Sequence, residues 1–152
     1  MNRPTPMLVA GLLSLSAVSI RAQAPNVAAT QEIERLRGTF AMVSGQADGA
    51  DLPATMTRAM KRVAEGNVTT VTMAGQLYMK ATFTVDPAAS PKTIDYDMTG
   101  GFTAGKKQLG LYRMSGDTVT FCFGSPGGER PRDLQSRAGS GVTCSVWRRE
   151  SP

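Results

Sequence analysis

Six charged residues in the second half of the chain, Lys92, Asp95, Asp97, Asp117, Arg130 and Arg132, have side chains that could do chemistry. Carboxylates gathered beside an arginine can divide acid and base roles, one protonated and one ionised. In a β-domain these positions could meet near strand ends. The plainer reading is structural: Asp117 belongs to a Gly-Asp turn signal, and Asp95 with Arg130 makes an ion pair. The chain has no histidine. That absence removes Ser-His-Asp and Cys-His nucleophile systems, His-ligated zinc and the side chain best suited to moving protons near neutrality. With no nucleophile motif and no cofactor loop, a carboxylate hydrolase is the weakest reading, and no cofactor is expected. Asp95 and Asp97 share a strand face, but no further ligand cluster follows them, so no metal is expected either.

A second set of residues could bind rather than react. Beyond residue 24 the chain keeps seven methionines, Met42, Met56, Met60, Met73, Met79, Met98 and Met114. Flexible thioethers line adaptable apolar pockets. Met79, Phe83, Tyr96, Met98 and Phe121 fall on inward strand faces and are the pocket candidates. The same side chains could simply fill a small barrel, and filling is the weightier of the two readings.

These residues sit on a series of strands. Residues 27–37 read as a short helix, with Asn26 as N-cap and Gly38 as stop. Val27, Ile33 and Leu36 form its apolar stripe, leaving Glu32, Glu34, Arg35 and Arg37 to solvent. Thr39 to Ser44 begins the strands, and Asp48-Gly49 is a turn signal. Residues 54–64 read as a turn of helix passing into a short strand. Val68 to Met73 is a strand. Leu77, Met79, Ala81, Phe83 and Val85 then alternate with Gln76, Tyr78, Lys80, Thr82 and Thr84 as a half-buried strand. Residues 86–91 form a loop, because Pro91 cannot donate to a central ladder. Strands follow over 93–98, 107–114, 118–123, 132–136 and 142–148. The Gly-rich segments 124–129 and 139–141 lack phosphate-loop spacing and read as turns. Tyr78, Tyr112 and Trp147 fall on outward faces. The whole predicts an all-β fold: an antiparallel barrel of about eight strands with a short N-terminal helix.

Residues 1–24 read as a signal peptide: Arg3, an apolar stretch from Met7 to Ile20, then Ala22-Gln23-Ala24. The apolar stretch is shorter than the ~20 residues of a membrane-spanning helix. Residues 25–152 then form a single domain, exported to the periplasm, cell envelope or exterior, with no transmembrane segment. Losing Arg3 and Arg21 takes 17 basic residues to 15 against 12 acidic ones, a net of +3. That charge is mild and scattered, so no nucleic-acid partner is expected.

Several short blocks carry a family resemblance. Leu36-Arg37-Gly38-Thr39-Phe40, Val43-Ser44-Gly45, Asp48-Gly49 and Asp86-Pro87 are followed by Pro91-Lys92-Thr93-Ile94-Asp95 and Gly110-Leu111-Tyr112. Then come Gly116-Asp117-Thr118, Cys122, Arg130-Pro131 and Arg148. In order and spacing they resemble the lipocalin-like domain family best known from planctomycete bacteria, over roughly residues 33–150. The resemblance implies a secreted, lipocalin-like β-barrel of uncharacterised function and brings no catalytic or ligand residues. Phe40 stands where that family usually has Trp, and Cys144 where it has an aliphatic residue, so the family implies no disulfide.

Strand parity points the same way for the two cysteines. Cys122 shares a face with Thr118 and Thr120, whereas Cys144 is in phase with Val142 and Val146, the expected inward set. Opposite faces cannot be bridged without a bulge or corner. Two unpaired thiols are the expectation. The leading functional reading is an exported, non-enzymatic lipocalin-like domain holding a small apolar ligand. Its rival is a cell-envelope module with a filled core and a protein or polysaccharide partner.

Overall fold

The computed structural model describes residues 26–151, so the expected signal segment lies outside the described residues. Asn26 caps the first helix, α1 (Val27–Leu36), by accepting a hydrogen bond from the backbone N–H of Ala29 at 3.2 Å. Strand β1 (Gly38–Ala47) comes next and turns at Asp48-Gly49 into a two-residue strand, β2 (Ala50–Asp51). A second helix, α2 (Ala54–Ala59), runs directly into β3 (Met60–Glu65). The remaining strands are β4 (Val68–Met73), β5 (Gln76–Asp86), β6 (Lys92–Gly101), β7 (Lys107–Ser115), β8 (Thr118–Phe123) and β9 (Thr143–Arg149).

Each strand from β3 to β9 pairs antiparallel with the next, and β1 pairs with both β3 and β9. Eight strands therefore close into a barrel with no free edge, while β2 only extends the β1 hairpin. The predicted all-β, lipocalin-like barrel is the observed fold. Among the described residues, no helix is long and apolar enough to cross a membrane.

Period-2 alternation puts one face of every strand inside. Phe40, Met60, Val71, Met79, Phe83, Ile94, Tyr96, Met98, Val119 and Phe121 make up the core with Leu36 of α1. Each large apolar side chain contributes on the order of 1.5–3 kcal/mol by leaving water. Three bulges break the alternation: on β1 at Val43, on β5 at Tyr78 and on β6 at Thr99. A bulge adds one residue and re-aims the side chains beyond it. That corrects two expected orientations: Leu77 is half exposed, and Tyr78 turns toward the barrel rim.

Three further expectations are corrected. Residues 132–136 form no strand; 124–142 is one long loop lying on the outer surface of the barrel. Tyr112 and Trp147 are buried, not outward. Their registers explain it: Tyr112 stands opposite Phe121, and Trp147 opposite Val119, both inward residues.

The third correction concerns the cysteines, which form a disulfide. Cys122 and Cys144 are direct cross-strand partners, so they share a face. The expected parity rests on Val142 pointing inward. Val142 instead lies in the loop and packs outside the barrel with Leu134, Cys122 and Cys144 as a small second cluster. The loop makes an apolar outer face possible, because it covers that face.

Candidate functional site

The two ends of the barrel differ. At one end α1 lies across the opening as a floor, with Leu36 buried and Ile33 packed on the core. Glu32, expected in solvent, is buried there. Its carboxylate accepts hydrogen bonds from Tyr112 Oη at 2.8 Å, Lys92 Nζ at 3.0 Å and Arg35 Nη1 at 2.7 Å. Burial pushes the Glu32 carboxyl up, but the Tyr112 hydroxyl and the Lys92 and Arg35 cations outweigh it, so its pKa lies below the ordinary value. Tyr112 responds oppositely: burial, then its bond to the Glu32 anion, holds its phenol far above the usual range. Arg149 completes the floor. Its guanidinium stacks on Phe40 at 4.6 Å and donates to the backbone carbonyls of Arg35 and Arg37.

The other end is open. Above the floor lies a cavity of about 330 Å³ that reaches the surface. Met42, Met60, Met79 and Met98 line it with Tyr96, Phe121, Phe123 and Trp147. Leu52, just after β2, Met56 of α2, Tyr78, Phe102 and Pro126 form its mouth. Phe102 stands almost fully in solvent there, edge-on to Tyr78 at 6.4 Å. One wall is aromatic, with Tyr96 against Phe123 at 4.3 Å and Phe121 beside Phe123 at 6.1 Å. Polar lining is sparse: Gln108, Thr103, Thr143, Ser145 and Arg62. Ser145 Oγ accepts a 2.8 Å hydrogen bond from the Trp147 indole N–H.

Of the five expected pocket residues, Met79, Tyr96, Met98 and Phe121 line this cavity. Phe83 is buried in the core without lining it. Sequence reasoning missed Met42, Met56, Met60, Trp147 and Arg62. Met42, Met56 and Met60 carried a signal in their type but lay on elements of uncertain phase, whereas the expected parity of the last strand put Trp147 outside. Arg62 carried none, because a lysine or arginine on a strand reads as a solvated position.

The six charged residues do not gather. Lys92 turns to Glu32 on the floor. Asp95 pairs with Arg130 at 2.6 Å on the outer wall, where Arg130 also donates to the Gly110 carbonyl at 2.8 Å. Asp97 meets Lys107 at 2.9 Å, and Asp117, in the β7–β8 turn, lies 3.7 Å from Arg149. Arg132 lines a separate polar hollow under the outer loop. Each carboxylate is thus held beside its own cation. Among the described residues, no group of three or more His, Cys, Asp or Glu is placed to hold a metal.

No known protein family matches the chain, and neither a curated protein nor a solved structure does.

Proposed function

We propose that the protein is an exported, non-enzymatic, lipocalin-like domain that holds a small, largely apolar molecule inside its barrel. The cavity carries this reading. Its volume of about 330 Å³ falls within the roughly 300–1,000 Å³ of small-molecule sites. Its lining of methionines and aromatic rings suits a guest of adaptable shape. A disulfide, a bond that persists in oxidising compartments, is in keeping with export. The rival envelope-module reading draws on the mixed charge and on outward Tyr78, Tyr112 and Trp147; of these three rings, Tyr112 and Trp147 face inward. A hydrolase would need Asp117 beside Asp95 and Asp97; those two share a face of β6, whereas Asp117 lies in the β7–β8 turn against Arg149.

The test is a phenylnaphthylamine titration of protein recovered from the periplasm of cells expressing the full chain. Trp147, the single tryptophan, lines the cavity and serves as energy donor. Saturable one-to-one energy transfer, lost when Met98→Trp fills the space, is the expected result. A linear, unsaturable signal overturns the reading. Intact mass of the recovered protein tests export separately: a mass lacking the N-terminal segment is expected, and full-length protein confined to the cytosol overturns that part.

A further inference from the structure

The barrel treats its two buried ions differently. Glu32 has three partners, two cations and a phenol. Arg62 has none. Its side chain is 1 % exposed, and Nε, Nη1 and Nη2 are all buried without a hydrogen-bond acceptor. It is the one fully buried basic residue among the described residues. A guanidinium stays charged at any pH a protein survives, so it cannot escape by losing a proton. Burying such a charge without a counter-ion is strongly unfavourable.

The surroundings of Arg62 narrow the choice of a group that would complete it. Its guanidinium lies 4.5 Å from the ring centroid of Phe121 and 5.7 Å from that of Phe40. Aromatic faces ease the charge but accept none of the five N–H groups. Arg62 lines the cavity, and every other polar group on that lining is uncharged. The nearby floor cation Arg149 already has Asp117 and two backbone carbonyls. One unbalanced positive charge therefore sits in the wall of an apolar chamber. Its nitrogens are closed off from the space itself, so that a guest reaches them only with a shift of the side chain.

We infer that the guest of this cavity carries a carboxylate, that Arg62 binds it, and that its apolar body extends through the methionine-lined space toward the mouth. This rests on the proposed ligand-binding role of the cavity and names the class of guest: a monoanionic amphiphile of the fatty-acid type. A carboxylate supplies one negative charge and two coplanar oxygens, which matches the guanidinium fork. An ester or alcohol would accept hydrogen bonds and leave the charge unbalanced. A phosphate dianion would bring a second charge that no other cation on the lining meets.

Dodecanoate and dodecanol, alike in apolar length and different in charge, separate the two claims by Trp147 fluorescence. Wild-type protein should bind dodecanoate more tightly than dodecanol. Arg62→Met should weaken dodecanoate roughly 10- to 100-fold, with little change for dodecanol. The same substitution should raise the Tm of the empty protein by roughly 5 °C or more, because it removes an uncompensated charge. Arg62→Lys keeps the charge without the fork and should retain part of the preference for the acid. Equal dodecanoate affinity in wild type and Arg62→Met overturns the role of Arg62 and leaves the cavity reading standing. Failure of both probes to perturb Trp147 in wild type overturns both.

Discussion

The hydroxyl of Tyr112 on β7 donates a 2.8 Å hydrogen bond to the carboxylate of Glu32 on α1. The two residues are 80 positions apart in sequence, so this bond fastens the N-terminal helix across the end of the barrel. It also fixes where the interior stops. With α1 in place the floor is sealed by Leu36, Ile33 and the Glu32 cluster, and the cavity opens only at the opposite rim. A barrel open at both ends would hold water; one closed at a single end can hold a guest.

Removing the Tyr112 hydroxyl should loosen this floor. Tyr112→Phe deletes a hydrogen bond to a charged acceptor and is expected to lower stability by about 1.5–3 kcal/mol in urea unfolding. Glu32→Ala orphans the buried hydroxyl and should cost about 1–3 kcal/mol. The two changes touch one network, so the double variant should lose less than the separate losses combined. Strict additivity would mean that the bond does not couple helix to barrel.

The same pair predicts how stability varies with pH. The carboxyl of Glu32 titrates below its ordinary value of 4.5 in the folded protein. Its contribution is therefore complete above 4.5 and lost as pH falls through the folded value. Tyr112 has the opposite sign: its phenol is raised above the ordinary 10.0, so its contribution is complete below 10.0 and declines as pH climbs beyond it. Urea midpoints across the pH range should fall at both ends. Glu32→Gln should flatten the acid limb, and Tyr112→Phe the alkaline one. If both variants keep the wild-type profile, other groups set these limbs.

Reduction should expose the outer loop. The Cys122–Cys144 bridge spans 22 positions and sits beneath Val142 and Leu134. Chain entropy alone assigns such a crosslink about 3 kcal/mol, so a reductant, or Cys122→Ala with Cys144→Ala, should lower stability by that order. Cleavage by a protease under native conditions should then appear first within 124–142. Equal cleavage rates for oxidised and reduced protein would show that the loop is held by its polar ties, such as Arg130 to Asp95 and Ser136 to Val142, without the bridge.

The barrel is legible in the sequence because its signal repeats: period-2 runs such as Met79–Val85 and Ile94–Met98 each declare an inside. Where one residue interrupts the period, that logic fails. The bulge at Tyr78 exchanges the roles of Leu77 and Tyr78. On β9, Val142 and Val146 look like the inward apolar set, whereas Trp147 is the inward residue and the loop shelters the other side. Part of the pocket, Met79, Tyr96, Met98 and Phe121, is readable as apolar residues on clear strands. Arg62 is not, since a buried charge without a partner is what local patterning argues against, and such exceptions concentrate where a protein meets its ligand.

Gly110 offers a test of how the aromatic wall is built. It stands opposite Phe123 on the inner face, and the Phe123 ring lies over the bare Gly110 Cα. A methyl group there would fall inside van der Waals contact with that ring and within 2.9 Å of the Cys122 carbonyl oxygen. The ring can yield only toward Tyr96, whose centroid is already 4.3 Å away, or into the cavity. Gly110→Ala should therefore destabilise the protein by about 1–3 kcal/mol, the usual cost of overpacking. If Phe123 swings inward, the cavity shrinks and binding of an apolar probe weakens in the same variant. Trimming the ring with Gly110→Ala/Phe123→Leu should restore most of the stability. A second variant no more stable than Gly110→Ala alone would place the strain in the backbone at Cys122 instead.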